Sequence, residues 1–451
     1  MFLESTISDI ENYPFLNPFR FENDPSKKYW HISTLESLLE ENWNSIEEGV
    51  TENREYLAAR EKIFSSSVFQ YFTDQKNRII QESLETDNSF QILGAYTCLL
   101  DSIVQTAFDY SFIDIPLIKE RLVEELNHEL NYKQKNLPEK KEKLKLLKEQ
   151  ILEMEKNLES GSSSSREYRY FQEVESQHES ETRVLEERIE ELQQLIPQIQ
   201  DFTNDKNFVL NHLVIFARGG YGRAELGLSS DRDLGYCLDT NRLNNGEAEM
   251  LRQLIVHIEN LLRNSGVETA HQYFEIDEDL SRFDEVNTLH TIPSILESRV
   301  LLGSESLATN LKNRFFQVIT FEPYVLNLVR SFSESKEPEL NRMDLKMDYG
   351  GLRSLQIPLW ITAATFGIFP SQTADLLAFL IQKHLLSHRQ ALKLCQALEF
   401  LHDLRNFSAV AKEHYFDDEA RDIGCVQENL LQDQLNDSLE RLYLLKKNRF
   451  K

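Results

Sequence analysis

The spacing of hydrophobic positions along the chain changes several times, and each change marks an element. Between Phe90 and Tyr110, Ile92, Ala95, Tyr96, Leu99, Leu100, Ile103, Ala107 and Phe108 recur at three- and four-residue steps. That spacing predicts a helix with one broad apolar face. Similar patterns over Ala58–Tyr71 and Lys76–Glu85 predict two more helices, and Ser33 with Glu36 has the capping-box spacing of a helix start. Ahead of them, an aromatic stretch interrupted by Pro14, Pro18 and Pro25 predicts an irregular lead-in.

From Ile118 to Ile199 the pattern predicts a hairpin. Leu144, Leu147, Ile151, Met154 and Leu158 step by three and four. After the glycine–serine turn Ser160–Ser165 the steps resume at Leu185, Ile189, Leu192, Ile196 and Ile199. Two such arms folded back on one another make an antiparallel coiled coil. Lys140, Lys141, Lys143, Lys145 and Lys148 load the first arm, and Glu173, Glu175, Glu179, Glu181, Glu186 and Glu187 load the second, so that opposite charges face each other. Arms of this kind reach roughly 50–60 Å at ~1.5 Å per residue. The hairpin is either a solvated spacer or an arm for a partner.

Then the pattern shortens. Leu213–Ala217 and Leu234–Leu238 are brief apolar runs of strand length. Asn245–Asn264 is an amphipathic helix with Met250, Leu251, Leu254, Ile255, Ile258 and Leu261 on one side, ended by Ser265 and Gly266. Val267–Ile276 alternates as a third strand, and from Thr291 onward the chain reads as helix, with Ile292, Ile295, Leu296, Val300 and Leu301 on one face. The fold class is therefore α+β and mostly α: a small mixed sheet flanked by helical domains and a coiled-coil hairpin. Four segments are expected, over residues 1–115, 116–200, 201–335 and 336–451.

Chemistry concentrates at the first two strands. Arg218-Gly219-Gly220-Tyr221-Gly222-Arg223 breaks the first strand with three glycines, where backbone can turn tightly or approach a ligand. Ser229-Ser230-Asp231-Arg232-Asp233 leads into the second. In extended chain, residues i and i+2 share a face, so Asp231 and Asp233 project together. Paired hard oxygens opposite a turn rich in N–H groups suit a divalent cation and phosphate. The plain alternative is a hairpin whose serines and aspartates only make turn bonds.

Composition narrows the setting. The 451 residues suggest two or three domains, and few glycines and prolines favour helix. Seventy-five acidic residues against 49 basic give a net charge of -26, which disfavours non-specific nucleic-acid binding. Cys98, Cys237, Cys395 and Cys425 are far apart and suggest neither zinc nor a disulfide framework. The N-terminus lacks the pattern of a signal peptide, and no stretch reaches the ~20 apolar residues of a membrane span. A cytoplasmic protein is expected.

These residues carry a resemblance. GGYGRAEL…SSDRDL is similar to the signature of the nucleotidyltransferase superfamily, above all to the PII-protein uridylyltransferases of bacteria. Asp344–Trp360 (DLKMDYGGLRSLQIPLW) resembles a second block of those enzymes, and GVETAH (266–271) and LESRVLLG (296–303) match weaker blocks in the right order. The likeness runs from Val209 to the C-terminus. It implies a metal-dependent transfer of a nucleoside monophosphate (UMP or AMP) from an NTP to a protein acceptor, PII-like or other, with release of pyrophosphate. Mg²⁺ (or Mn²⁺) would sit on Asp231 and Asp233. Glu268 is the expected third catalytic carboxylate, with Glu275 and Asp277 as alternatives. Gly219, Gly220, Arg223, Ser230, Lys346 and Arg353 would hold the nucleotide. His271 is expected either to bond structurally or to touch substrate, and Glu297 with Arg299 to form an ion pair.

The chain departs from the family at Ser354, where the relatives have aspartate after the arginine. That departure, the uncertain third carboxylate and the hairpin support the other reading, a degenerate transferase acting as a scaffold. The hydrolase and small-molecule-sensing portions of the full-length enzymes are not implied for this polypeptide. His402-Asp403 is expected at the surface.

Overall fold

The computed structural model describes residues 53–85, 89–159, 165–228, 230–276, 288–318, 352–368 and 370–414, with Leu35, Ser37, Leu38, Leu39 and Lys346. The Ser33–Glu36 box, the proline-rich lead-in, Asp277 and the Gly350-Gly351 pair lie outside these residues.

Helices α1 (Asn53–Glu85) and α2 (Ser89–Ile113) form an N-terminal pair. Helix α1 is continuous where two helices were expected: polar Thr73 and Asp74 interrupt the apolar pattern, not the helix. Phe64, Val68 and Ile80 of α1 and Tyr96, Leu99, Ile103 and Phe108 of α2 are buried. At ~1.5–3 kcal/mol for each large apolar side chain removed from water, this shared face is what holds the pair together.

Helices α3 (Ile115–Glu159) and α4 (Ser165–Gln200) pack side by side along their length. Lys140 meets Glu181 at 2.6 Å, Lys148 meets Glu179 at 3.0 Å and Arg188 meets Glu129 at 3.1 Å, so residue numbers fall on one arm as they rise on the other. The arms are antiparallel, and lysine faces glutamate as the charge pattern requires. Ile151, Ile189, Leu192, Ile196 and Ile199 are buried along the hairpin.

The short helix α5 (Lys206–His212) leads into a four-stranded mixed sheet, in the order β3-β2-β1-β4. Strand β1 (Leu213–Ala217) is antiparallel to β2 (Asp233–Leu238) and to β4 (Arg299–Gly303), whereas β3 (Ala270–Glu275) is parallel to β2. A one-turn helix, α6 (Gly219–Gly222), joins β1 to the loop before β2, and α7 (Asn245–Asn264) crosses from β2 to β3. Strand β4 was expected to be helix. Val300–Leu302 is a short continuous apolar run, which periodicity alone does not assign. Pairing with β1 decides it, and the positive φ of Gly303 (93°) lets the chain turn where a Cβ would lie 1.9 Å from the Leu213 carbonyl oxygen.

Alternation along the strands splits the core in two. Leu213, Ile215 and Ala217 of β1 and Leu234, Tyr236 and Leu238 of β2 pack with α1, α2 and α7. Val214, Phe216 and Cys237 face the other way, onto α8 (Thr288–Leu296), α9 (Glu305–Val318) and α10 (Leu352–Phe366). Covering both faces explains why β1 is apolar at every position. Helices α10, α11 (Thr373–Gln382) and α12 (His388–His414) share a third cluster with Leu93 of α2. Helix α7 begins with a reciprocal cap: the Glu247 N–H donates to Asn244 Oδ1 at 2.9 Å, and the Asn244 N–H donates to Glu247 Oε2 at 2.8 Å. Among the described residues no helix is long and apolar enough to cross a membrane.

One polar cluster lies inside this core. His257 of α7 is 1% exposed, with Nε2 3.3 Å from Asp114 Oδ2 and Nδ1 3.3 Å from Glu61 Oε1, while Arg60 Nε also donates to Asp114. Burial pulls the imidazole down, but hydrogen bonds and charge from Asp114 and Glu61 outweigh it and leave His257 above its ordinary value. A raised histidine contributes stability that is complete below its unfolded value and lost as pH rises through its folded value. The urea midpoint of the wild type is therefore expected to fall as pH rises above the ordinary histidine value of about 6.5, and that fall to flatten in His257→Gln. Equal pH slopes for the two proteins would show that the ring carries no charge in the fold.

Candidate active site

The cleft lies where β1 gives way to α6 and where β2 begins. The Arg218 N–H donates to the Asp233 carbonyl at 2.9 Å, which closes the sheet at this end. Gly219 adopts φ 56°, and a Cβ there would stand 3.2 Å from Asp233 Oδ2. The turn thus needs glycine for its conformation and leaves the carboxylate room beside the backbone. Asp231 and Asp233 share the β-face that looks toward α10 and α12, as their spacing requires. Asp231 is largely exposed and Asp233 one-third exposed.

Cations converge on the pair. Lys346 Nζ stands 3.8 Å from Asp231 Oδ2, and its carbonyl accepts the Arg353 N–H at 3.0 Å, which ties it to the start of α10. Arg218 Nη2 is 4.0 Å from Asp233 Oδ1, while Nη1 donates to Gln272 Oε1 and Nε to the Leu234 carbonyl at 3.2 Å. Burial pushes the Asp233 carboxyl above the usual aspartate range; Arg218 opposes that and Asp231 adds to it. Arg353 donates through Nη1 to Gln356 at 3.0 Å and lies 4.9 Å from the Trp360 ring centre, and its Nε is buried without a hydrogen-bond partner among the described residues. Burial and the neighbouring Arg223 pull Arg353 down to about 10. An under-compensated guanidinium facing a cleft favours an anion.

Not every expected residue stands at the centre of the cleft. Gly219, Gly220, Ser230, Asp231, Asp233, Lys346 and Arg353 line it together. Arg223 borders it too, but its guanidinium is taken up by Glu225 (2.8 Å) and Glu297 (2.7 Å), and it is 7% exposed. Its side chain braces the turn from behind. Glu268 lies on the approach to β3, exposed, outside the residues that line the cleft. The β3 position reaching the cleft is Gln272, in register with Gly235. Glu275 instead binds Arg252 at 2.6 Å. Glu297 and Arg299 are both in ion pairs, though not with each other: Arg299 makes a bidentate contact with Asp101 of α2 at 2.8 and 3.1 Å. His271 Nδ1 lies 3.3 Å from Glu259.

Sequence reasoning also left residues unplaced, although Leu404-Arg405-Asn406 resembles a further block of the uridylyltransferases. His402, expected at the surface, is 2% exposed in the cleft wall, and burial pulls its imidazole down to about 4 despite Glu225 nearby. Arg405 lines the same wall. Asn406 Oδ1 accepts the Leu228 N–H at 3.1 Å, and Thr373 Oγ1 donates to Glu225. The i, i+3 and i, i+4 spacing of His402, Arg405 and Asn406 on α12 was the available signal, since it places them on one helix face.

A mixed sheet with a glycine turn facing an Asp-x-Asp strand start, walled by arginines and lysine, resembles a nucleotidyltransferase-type centre. The comparisons point to the same class of protein. Residues 330–414 match the family described as GlnD PII-uridylyltransferase. The chain is 30% identical over 165 residues to a bifunctional uridylyltransferase/uridylyl-removing enzyme of Zymomonas mobilis, covering 35% of this chain and 17% of that protein. It is 30% identical over 206 residues to the enzyme of the same description in Ectopseudomonas mendocina (43% and 21%), and 25% identical over 233 residues to that of Rhodospirillum rubrum (48% and 23%). The chain thus carries a uridylyltransferase-like region, and its matches span about a fifth of the length of these relatives.

Proposed function

We propose that the protein is a metal-dependent nucleotidyltransferase that moves a nucleoside monophosphate, UMP or AMP, from an NTP to a protein acceptor (PII-like or other) and releases pyrophosphate. The observation that carries this reading is the single cleft in which Asp231 and Asp233 face the Gly219 turn, Lys346 and the under-partnered Arg353.

The donor set fits a hard divalent cation. Two carboxylates share a face, and Lys346 stands by one of them, as a positive charge is expected to where negative charge collects. Among the described residues no third acidic, histidine or cysteine side chain joins them, so Mg²⁺ or Mn²⁺ on Asp231 and Asp233 would complete its shell with water and phosphate oxygens. Bound there, the cation would neutralise phosphate charge and act as a Lewis acid.

The chain's own groups do the rest. Arg353 and Lys346 bind phosphate oxygens, and N–H groups of the Gly219–Gly220 turn orient them. An acceptor hydroxyl, that of a tyrosine on this reading, attacks the α-phosphorus; the bond to the pyrophosphate oxygen breaks, and the hydroxyl proton passes to solvent. Positioning and charge stabilisation supply most of the rate in such transfers. The hairpin α3–α4 is a surface for a protein partner on this reading, and the protein acts in the cytoplasm.

Labelled UTP and ATP, each with Mg²⁺, are to be incubated with the protein and a lysate. Transfer of label to a protein band, with loss on chelation, is the expected result. Nucleotide binding without transfer would leave the degenerate scaffold, a reading to which the Gln272 and Arg218 pairing beside Asp233 and the serine at 354 lend support.

A further inference from the structure

Strand alternation that sends Asp231 and Asp233 into the cleft sends Arg232 to the opposite face, where α2 lies. There each of its three nitrogens has a partner. Nη2 and Nε donate to the Tyr96 hydroxyl at 2.9 and 3.2 Å, Nη1 donates to the Glu268 carbonyl at 3.2 Å, and its plane sits 5.3 Å from the Phe72 ring centre. Tyr96 is completely buried. The carboxylate-bearing segment is thereby anchored to a helix residue 136 positions earlier in the chain.

The same helix holds the facing wall. Asp101 of α2 takes the bidentate contact from Arg299 on β4, and Arg299 lies 5.9 Å from the ring centre of Tyr221, the aromatic residue of the glycine turn. Leu93, near the start of α2, is buried in one apolar cluster with Leu352, the residue before Arg353. One helix outside the sheet thus touches the pieces that carry the carboxylates, the glycine turn and the cleft arginine.

We propose that Arg232 is a positioning residue, clamped to Tyr96 so that helix α2 sets the placement of Asp231 and Asp233 relative to the glycine turn. The proposal rests on the nucleotidyltransferase reading. Its physical ground is that reacting groups must be held to within a fraction of an ångström, and a displacement of about 1 Å costs on the order of 10²-fold in rate. Arg232 flanks both aspartates in sequence, so its anchor fixes the backbone they share. The helical unit at the N-terminus then belongs to the catalytic apparatus.

The test uses the full chain as wild type, Tyr96→Phe, Arg232→Met, Arg232→Lys and the Tyr96→Phe/Arg232→Met pair. Mn²⁺ affinity in the presence of UTP is read by electron paramagnetic resonance, transfer by labelled UTP, and folding by urea midpoint. Tyr96→Phe and Arg232→Met are each expected to weaken Mn²⁺ about tenfold and to slow transfer about 10- to 100-fold, with UTP affinity without metal held within about twofold. The pair should be no worse than the poorer single variant, because both remove one contact, and Arg232→Lys should recover part of the loss. Wild-type Mn²⁺ affinity and rate in both single variants, or fully additive losses, would overturn the proposal. If the wild type binds Mn²⁺ and UTP but transfers nothing, the functional reading falls, and the Mn²⁺ measurements alone decide the role of Arg232. A wild type that binds neither overturns both.

Discussion

Asp233→Ala is expected to lower nucleotidyl transfer by on the order of 10³-fold while leaving the fold intact. The two halves of this expectation have separate causes. The carboxylate supplies an oxygen of the proposed cation site and faces the cations that would bind phosphate, so its removal strips charge from the reacting centre. Yet the same group is partly buried in a place that resists its ionisation. Removing it relieves that cost, so the urea midpoint should not drop below that of the wild type. Steady-state transfer and urea unfolding on one preparation check both halves. Turnover within tenfold of wild type would remove Asp233 from the chemistry.

The second large effect concerns stability. Arg223→Met is expected to destabilise the protein by about 3–5 kcal/mol, because it leaves Glu225 and Glu297 buried without their shared guanidinium. Burial pushes Glu297 above the ordinary carboxylate range even with Arg223 present, while Arg223 outweighs burial at Glu225 and holds it below. Losing the cation leaves two acids that must protonate or pull the turn apart. Urea unfolding measures this directly. A variant with wild-type stability but weakened UTP binding would return Arg223 to the phosphate-contacting role that its place in the GGYGR motif suggests.

Those two residues show what could be read in advance. Asp231 and Asp233 were legible because the i, i+2 relation in a strand is local: two residues, one face. The apolar stripe of α7 and the buried run of β1 were legible for the same reason. The partners of Arg223 were not, since Glu297 is 74 positions away and reaches it only after α8 and β4 are in place. Strand β4 itself was read as helix, because three apolar residues in a row, Val300 to Leu302, carry no period of their own. The burial of His402 was missed because the face it shares with Arg405 and Asn406 becomes a wall only when α12 packs beside the glycine turn, which local spacing does not specify. Glu268 was chosen by resemblance as a third carboxylate, and the register of β3 on β2 brings Gln272 to the cleft instead.

The Leu228 N–H finds its acceptor in Asn406, 178 positions further along. During synthesis the loop bearing Asp231 therefore emerges from the ribosome long before its last tether exists. A nascent chain has its paired carboxylates early, but the side of the cleft formed by His402 and Arg405 arrives only with α12. Premature termination anywhere before that helix would yield a polypeptide lacking that side of its cleft.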